Sequence, residues 1–232
     1  MSALSNSLVS RSSPIFCYVT DRRSLASATP SDLLPSLVRK IEALASAGVD
    51  WIQLREKDLS GKELAGVTRE CMRRRAAHSE SPGVTRIVVN DRLDVALAER
   101  AHGVHLGETG LPVAQAKGLV ETHASGKDFL IGVSCHSLEA AKSAAGDGAS
   151  YLFFGPVFAT PSKAAFGAPQ GLGPLAKVCR SVSIPVLAIG GVTLENAAAC
   201  FAAGVSGIAA IRLFQDAPDP AGVIAALRQR TR

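Results

Sequence analysis

Short runs of apolar residues alternate along the chain with longer segments in which apolar residues recur at helical spacing. The short runs predict strands at residues 15–20, 49–54, 86–89, 103–106, 129–133, 150–154, 185–189 and 207–211. The longer segments predict helices at residues 31–47, 61–77, 93–100, 113–122, 138–145, 175–181, 194–203 and 220–228. Because eight such units follow one another and their strands are apolar throughout, we expect an α/β fold, a single (β/α)8 TIM barrel.

The domain organisation follows from the same pattern. The rival architecture is an open doubly wound sheet, which more usually carries about five or six strands. No linker or low-complexity tract interrupts the chain after residue 14, so we predict one domain over residues 15–232. The serine-rich residues 1–14 lack the apolar core of a signal peptide and predict a disordered tail. Ser31 and Ser137 are predicted helix N-caps, and Gly48 and Gly204 are predicted helix stops.

Composition excludes several classes of partner. The chain has 47% hydrophobic and 19% charged residues and a net charge of +5, which is typical of a globular protein that suits acidic ligands. Its longest basic block, Arg73, Arg74 and Arg75, has no interleaved aromatic residues, which argues against nucleic acid. No apolar run reaches the roughly 20 residues that cross a membrane. The five cysteines are scattered without a CxxC pair, which indicates reduced thiols in a cytoplasmic protein.

The end of the second predicted strand carries the most informative polar side chains. Strand alternation sends Gln53, Arg55 and Lys57 to one side, and Ile52 and Leu54 to the other. Two cations and an amide would then meet at the C-terminal edge of a buried strand, an arrangement that can bind an anion such as pyrophosphate. The alternative from these residues alone is a strand edge whose charges are solvated.

The next strand ends offer further candidates. The third predicted strand ends in Asn90 and Asp91, where the amide could bind a ligand amine and the carboxylate could bind Mg²⁺. Either residue could instead cap the following helix. His105, on the fourth strand, is expected to be a packed and hydrogen-bonded residue. Cys135, after the fifth, is expected to be a buried thiol.

Hydroxyl-bearing and glycine-rich segments follow the last strands. Thr160, Ser162 and Lys163 lie after the sixth predicted strand, where hydroxyls and an ammonium suit a phosphate. Gly190 and Gly191 follow the seventh, and the backbone N–H groups of a glycine pair there can approach an anion closely. We therefore expect a phosphate site at this end of the predicted barrel.

These motifs together resemble the thiamine-phosphate synthase/TenI family over nearly the whole chain. The matching segments are QLREK (53–57), NDR (90–92), GVHLG (103–107), GVS (132–134), GPVF (155–158), TPSK (160–163) and AIGG (188–191). The synthase branch joins a hydroxymethylpyrimidine diphosphate to a thiazole phosphate through a pyrimidinylmethyl cation and releases pyrophosphate. The resemblance thus implies a transferase of thiamine biosynthesis that uses Mg²⁺. Both a monomer and a homo-oligomer are compatible with the sequence.

The resemblance also implies a role for each matching residue. Catalysis would involve Arg55, Lys57, Ser134 and Lys163. Asp91 would hold Mg²⁺. The substrate-binding set would be Gln53, Leu54, Arg55, Glu56, Lys57, Asn90, Ser134, Thr160, Pro161, Ser162, Lys163, Gly191, Ile211 and Arg212. Within this set, the thiazole phosphate would be held by Thr160, Ser162, Gly191, Ile211 and Arg212.

Two positions depart from the family pattern. Gly110 stands where the family has a second metal-binding aspartate, so either Glu108 compensates or Asp91 acts with the diphosphate alone. Arg212 stands where synthases commonly have a serine, and its guanidinium would bind phosphate, crowd the site or point outward. Two alternatives follow: a TenI-like thiazole tautomerase with His136 as proton shuttle, and a non-catalytic thiamine-precursor binding protein. The row of Gln53, Arg55 and Lys57 favours the synthase, since a tautomerase has no use for it.

Overall fold

Eight parallel strands form a closed barrel in the computed structural model, which describes residues 13–25, 29–77, 85–123, 128–160 and 168–231. The strands are β1 (Ile15–Val19), β2 (Trp51–Leu54), β3 (Arg86–Asn90), β4 (Gly103–Leu106), β5 (Leu130–Cys135), β6 (Tyr151–Phe154), β7 (Val186–Ile189) and β8 (Gly207–Ala210). Each strand pairs in parallel with the next along the chain, and β8 closes the barrel on β1. The predicted (β/α)8 TIM barrel is confirmed.

Helices follow the strands and cover the outside of the barrel. They are α1 (Leu33–Ser46), α2 (Gly61–Ala77), α3 (Leu93–Ala98), α4 (Val113–His123), α5 (Leu138–Gly146), α6 (Leu172–Ser181), α7 (Ala197–Ala202), α8 (Arg212–Gln215) and α9 (Pro220–Gln229). Two 3₁₀ turns, Arg22–Ser24 and Pro30–Asp32, precede α1. The sequence pattern did not predict α8, because four residues are too few for a helical period to be visible.

Strand alternation divides the apolar side chains into two cores. The outer core lies between the strands and the helices and includes Phe16, Tyr18, Ile52 and Leu54. The inner core fills the barrel and consists of Ile15, Cys17, Val19, Trp51, Val88, Leu130, Tyr151, Phe153, Leu187 and Ala209. Because the alternation continues to the strand ends, the polar residues two positions beyond the inner core face the barrel mouth.

The helix-end predictions are confirmed in part. The Ser137 side chain accepts a hydrogen bond from the backbone N–H of Ala140 at the start of α5. Gly48 and Gly204 end α1 and α7 with φ of +87° and +99°. The Ser31 N-cap prediction is wrong, since Ser31 lies inside a 3₁₀ turn and α1 begins at Leu33.

Two helix starts also differ from the predicted bounds. Helix α6 begins at Leu172 and not at residue 175, because its Pro174 lies in the first turn, where a missing N–H does no harm. Helix α7 begins at Ala197 and not at residue 194. The preceding residues form a turn in which the Asn196 side chain accepts a hydrogen bond from the Thr193 N–H at 2.9 Å.

Three further observations concern the predicted tail, the membrane and the cysteines. Residues 1–12 of the predicted tail lie outside the described residues, and the first strand of the described part is β1. Within the described ranges, every helix is too short or too polar to traverse a lipid bilayer. All five cysteines are free, and four of them are buried.

Candidate active site

Four polar side chains project from neighbouring strands into the C-terminal mouth of the barrel. They are Gln53 of β2, Asn90 of β3, His105 of β4 and Ser134 of β5. Gln53 and His105 are buried, whereas Asn90 and Ser134 are partly exposed to solvent. The strand alternation therefore brings together residues that are up to 81 positions apart in the chain, the separation of Gln53 (53) and Ser134 (134).

A chain of hydrogen bonds runs from Gln53 to the carboxylate of Asp91. The Gln53 amide donates to Asn90 Oδ1 at 2.7 Å, and Asn90 Nδ2 donates to Asp91 Oδ2 at 2.7 Å. The second carboxylate oxygen, Asp91 Oδ1, accepts from the Gly107 N–H at 2.9 Å. Both ends of the Asn90 amide are thereby committed to named partners, so this side chain is fixed before any ligand enters.

Asp91 is held as a potential cation ligand and does not cap the next helix. The N-cap of α3 is Arg92, and it makes no side-chain capping bond. Asp91 is exposed at the mouth with φ of +58°, a backbone conformation that aspartate tolerates better than most residues. Each carboxylate oxygen accepts one internal hydrogen bond and keeps a second lone pair for a ligand.

One protein carboxylate suits Mg²⁺ when substrate phosphates supply other oxygens. Within the described part of the chain, no group of three or more His, Cys, Asp or Glu side chains could hold a metal ion. A β-carbon built on Gly110 would lie 3.1 Å from the Gly107 carbonyl oxygen and 3.8 Å from Asp91 Oδ1, so position 110 adjoins this carboxylate. The donor set fits a cation that shares its coordination with a phosphorylated ligand.

His105 lies deeper in the barrel than Ser134 and is buried, with 1% of its surface exposed. Its Nε2 is 2.9 Å from Ser134 Oγ, and its Nδ1 is 3.1 Å from the hydroxyl of Tyr151. Burial, and to a smaller extent the charge of Arg55, lowers the pKa of His105 to about 3. The ring is therefore neutral at physiological pH. This confirms the prediction of a packed and hydrogen-bonded histidine.

Glu56 supports the segment after β2 from below. The Glu56 carboxylate accepts from Thr20 Oγ1 at 2.6 Å, from the Arg22 N–H at 3.2 Å and from Arg22 Nη1 at 2.9 Å. Thr20 Oγ1 in turn accepts from the Arg55 N–H at 2.9 Å. Glu56 is 5% exposed and Thr20 is fully buried, so this carboxylate is used within the protein and not at the mouth.

Leu54 is buried, as is Glu56, and the substrate contacts predicted for both residues stay predictions. Leu54 belongs to the outer core and is fully buried on the helix-facing side. Arg55, by contrast, is partly exposed and Lys57 is exposed. Among the residues that the structure describes, no carboxylate lies within ion-pairing distance of either cation. Neither cation is therefore neutralised by a described carboxylate, so both remain available to an anion.

Replacing Glu56 with glutamine is expected to lower the free energy of unfolding by about 3 kcal/mol, since Arg22 would lose a buried charged partner. Urea denaturation at pH 7 measures this loss. Glu70→Gln is the matched control, because Glu70 pairs with Arg73 and Arg74 on the surface of α2. A Glu56→Gln protein as stable as the Glu70→Gln protein would contradict the supporting role.

A glycine pair forms the turn after β7. Gly190 and Gly191 have φ of +93° and +65°, and a β-carbon on Gly191 would lie 2.8 Å from Phe158 Cβ. The Phe158 N–H donates to the Gly190 carbonyl at 3.0 Å, which joins this turn to the segment after β6. Only residues without a side chain fit so close a backbone approach.

The remaining phosphate-site candidates lie around this turn. Ile211 packs against the inner core, and Arg212 is exposed at the start of α8. Thr160 is partly exposed at the end of the described segment after β6. Pro161, Ser162 and Lys163 lie outside the described residues, so their predicted roles stay predictions.

The comparison with known proteins agrees with this geometry. The sequence profile described as "Thiamine monophosphate synthase" matches residues 21–214. The chain belongs to this family. A protein of Geobacter sulfurreducens named putative thiamine-phosphate synthase is 42% identical over 200 residues, which cover 84% of this chain and 89% of that protein. The thiamine-phosphate synthase of Roseiflexus castenholzii is 38% identical, covering 92% of this chain and 86% of that protein.

A solved structure has a similar architecture. Thiamine phosphate pyrophosphorylase from Pyrococcus furiosus superposes with a TM-score of 0.77 at 32% identity. The match covers 95% of this chain and 96% of that one. The family resemblance predicted from the strand-end motifs is therefore confirmed over the full barrel.

Glu108 and His136 form a second pair at the mouth of this family member. His136 Nε2 is 3.8 Å from Glu108 Oε2, and His136 Nδ1 makes a short hydrogen bond to the Gly155 carbonyl. Both side chains are partly exposed. Cys135 is 1% exposed, which confirms the prediction of a buried thiol, and burial, with a contribution from Glu108, raises its pKa to about 12.

The sequence patterns of the synthase family did not reveal three residues of this site. Thr20 and Arg22 support Glu56, and Tyr151 supports His105. For Tyr151 the signal would have been a polar residue at the start of a predicted strand, and for Thr20 and Arg22 it would have been polar residues just after the end of β1. A contact between β4 and β6 depends on barrel closure and register, which a single sequence does not give.

Proposed function

We propose that this chain is a thiamine-phosphate synthase. It would condense 4-amino-2-methyl-5-hydroxymethylpyrimidine diphosphate with thiazole phosphate, giving thiamine phosphate and pyrophosphate. The observation that carries the proposal is the hydrogen-bonded chain Gln53–Asn90–Asp91, together with the cations Arg55 and Lys57, which follow Gln53 after β2 and have no described carboxylate partner. This combination provides hydrogen bonds for a polar ring, positive charge for a diphosphate and a carboxylate for a cation.

The diphosphate would lie against Arg55 and Lys57. The Arg55 guanidinium can give a phosphate two parallel hydrogen bonds, and the Lys57 ammonium adds a second positive charge. The Glu56 contacts to Thr20 and Arg22 hold the backbone between these two cations. Their positions are thereby set before the ligand arrives, which lowers the cost of ordering the site.

We propose Mg²⁺ as the cofactor, with Asp91 as its protein ligand and diphosphate oxygens as further ligands. When bound, the ion would neutralise negative charge that builds up on the leaving diphosphate. Asn90 and the Gly107 N–H would keep the Asp91 carboxylate in one orientation, since each holds one of its oxygens.

The reaction would break the bond between the pyrimidinylmethyl carbon and the diphosphate oxygen, and the electron pair would leave with pyrophosphate. The thiazole nitrogen would then donate its lone pair to the resulting pyrimidinylmethyl cation, forming the new C–N bond. Neither step needs a protein nucleophile or base. Arg55, Lys57 and Lys163 would stabilise the departing negative charge, and Ser134 would orient the reactant.

The thiazole phosphate would bind where the turns after β6, β7 and β8 meet. Gly191 has no side chain of its own, so its backbone N–H could donate directly to the phosphate. Thr160, Ser162 and Lys163 would reach the phosphate from the preceding segment, and Arg212 from the start of α8. This assignment follows the family resemblance and the shared location of these turns.

A thiazole tautomerase is the second candidate function. The pair of His136 and Glu108 supports it, since a histidine with a nearby carboxylate can accept and return a proton. The cations Arg55 and Lys57 and the hydrogen-bonded Asp91 carboxylate favour the synthase, because a metal-independent tautomerase needs neither a diphosphate site nor a metal ligand. A binding protein without activity is the third candidate.

Pyrophosphate release distinguishes these candidates. With both substrates and Mg²⁺ present, we expect release of pyrophosphate, and none when either substrate is omitted. Tautomerisation of the thiazole phosphate without pyrophosphate release would favour the second candidate. Binding of thiazole phosphate without either activity would favour the third.

Gly110→Asp is expected to lower the Mg²⁺ concentration for half-maximal activity by roughly 10-fold, because added carboxylates tighten cation sites. The new carboxylate would lie close to Asp91, since the added β-carbon would be 3.8 Å from Asp91 Oδ1. Magnesium titration of the initial rate measures the effect. Gly118→Asp, in open space on α4, is the matched control. An unchanged magnesium dependence in Gly110→Asp would contradict the location of the ion.

We further propose that the enzyme works in the cytoplasm. None of its five cysteines forms a disulfide, which is typical of proteins in a reducing compartment. The oligomeric state stays a prediction.

A further inference from the structure

We propose that His105 and Tyr151 are positioning residues that make Ser134 a hydrogen-bond donor, and not an acceptor, toward the ligand in the barrel mouth. The proposal rests on the proposed function only for the identity of that ligand. The three residues form one continuous relay, Tyr151 to His105 to Ser134, in which only Ser134 reaches solvent.

The His105 ring is held in a single orientation. Its two nitrogens meet Tyr151 and Ser134, whereas a flipped ring would present carbon atoms to both oxygens. Phe153 lies against the ring with centroids 4.1 Å apart, and Trp51 packs on Tyr151 with centroids 4.6 Å apart. Any β-carbon at Gly132 would overlap the Tyr151 ring, so this glycine makes the space in which the relay forms.

The buried phenol decides which nitrogen of His105 carries the proton. Among the described residues, His105 is the one hydrogen-bonding partner of the Tyr151 hydroxyl. If the phenol accepted from His105, its own proton would be left in the barrel interior without an acceptor, which is unfavourable. The phenol therefore donates to Nδ1, and the neutral ring carries its proton on Nε2.

The state of Ser134 follows from this tautomer. The Nε2–H donates to Ser134 Oγ, so one lone pair of the hydroxyl is occupied and its proton is free to point into the mouth. A serine held in this way is not activated as a nucleophile, since the neighbouring nitrogen has no lone pair to take its proton. The ligand atom beside Ser134 must be an acceptor, such as a diphosphate oxygen or an unprotonated pyrimidine nitrogen.

The tautomer can be observed directly and without turnover. In protein labelled with ¹⁵N-histidine, Nε2 couples to both carbon-bound ring protons and Nδ1 to only one, so each nitrogen can be assigned. The His105 signals among the five histidines are those lost in His105→Gln. At pH 7 we expect the proton on Nε2 in the wild type and a loss of this single tautomer in Tyr151→Phe. A proton on Nδ1 in the wild type would overturn the proposal.

A double-mutant cycle tests whether Tyr151 acts through Ser134. Ser134→Ala is expected to lower kcat roughly 100-fold, as for other donors that stabilise developing charge. Tyr151→Phe is expected to lower it roughly 10-fold with KM little changed, and the double variant to match Ser134→Ala alone. If the kcat losses of the two single variants multiply in the double variant, the relay is contradicted. Such a result would mean that Tyr151 affects kcat independently of Ser134, as a merely structural residue would.

Tyr18→Phe is the matched control. Tyr18 is the other tyrosine of the chain and is equally buried. Its hydroxyl lies on the outer side of the barrel and donates to Gln215 Oε1 at 2.7 Å. It should lose stability while keeping kcat and the His105 tautomer. If the wild type releases no pyrophosphate, the proposed function fails, and the tautomer measurement alone then decides the positioning proposal.

Discussion

Asp91→Asn is expected to lower the rate of pyrophosphate release by about 100-fold or more, since the site loses its one placed cation ligand. Asparagine has the same shape and tolerates the left-handed backbone at this position. Its amide group, however, would have to face either Asn90 Nδ2 or the Gly107 N–H, both of which are donors. The substitution therefore removes the charge and also disturbs Asn90.

Steady-state rates over a range of Mg²⁺ concentrations measure this effect. Asp94→Asn is the matched control, because Asp94 lies three positions further along the chain and pairs with Arg92 on the surface. We expect wild-type rates from this control. Retention of magnesium-dependent turnover in Asp91→Asn would show that the cation is bound elsewhere.

Arg55→Ala is expected to lower kcat/KM for the pyrimidine diphosphate by about 100-fold, since a preplaced donor to the departing charge is removed. Arg55 is free of described carboxylates and is anchored through its own N–H, which donates to Thr20 Oγ1 at 2.9 Å. Because that anchor belongs to the backbone, the variant keeps the loop and loses only the guanidinium. Arg55→Lys should recover part of the rate, since it restores the charge but not the paired hydrogen bonds.

Arg39→Ala controls for a general loss of positive charge. Arg39 is exposed on α1, where its guanidinium contacts Ser36, so its removal should leave kcat/KM unchanged. Equal activity of Arg55→Ala and Arg39→Ala would contradict the assignment of Arg55 to the diphosphate.

Most of the fold could be predicted from the sequence because each strand and helix has its own local signal. The apolar runs and the helical spacing gave the eight strands and eight of the helices to within a few residues. The errors lie at helix starts. Ser31 is a typical N-cap residue, yet Pro30 begins a 3₁₀ turn and α1 therefore starts only at Leu33. The predicted start of α6 came after Pro174, but the helix includes this proline in its first turn.

The site was predictable where strand alternation alone places a side chain. Gln53, Asn90 and Ser134 face the barrel mouth because each follows inner-core residues at even spacing. The internal hydrogen bonds of Glu56 could not be predicted, since its partners Thr20 and Arg22 lie 36 and 34 positions away and come close only when β1 pairs with β2. The contact of His105 with Tyr151, 46 positions apart, could not be predicted for the same reason.

The most direct test of the proposed synthase is to measure both products of one reaction. The purified protein is given the pyrimidine diphosphate, the thiazole phosphate and Mg²⁺, and thiamine phosphate and pyrophosphate are quantified over time. The proposal predicts that the two products appear in equal amounts and that neither forms when Mg²⁺ is removed. Absence of thiamine phosphate under conditions in which the same protein isomerises the thiazole would contradict it.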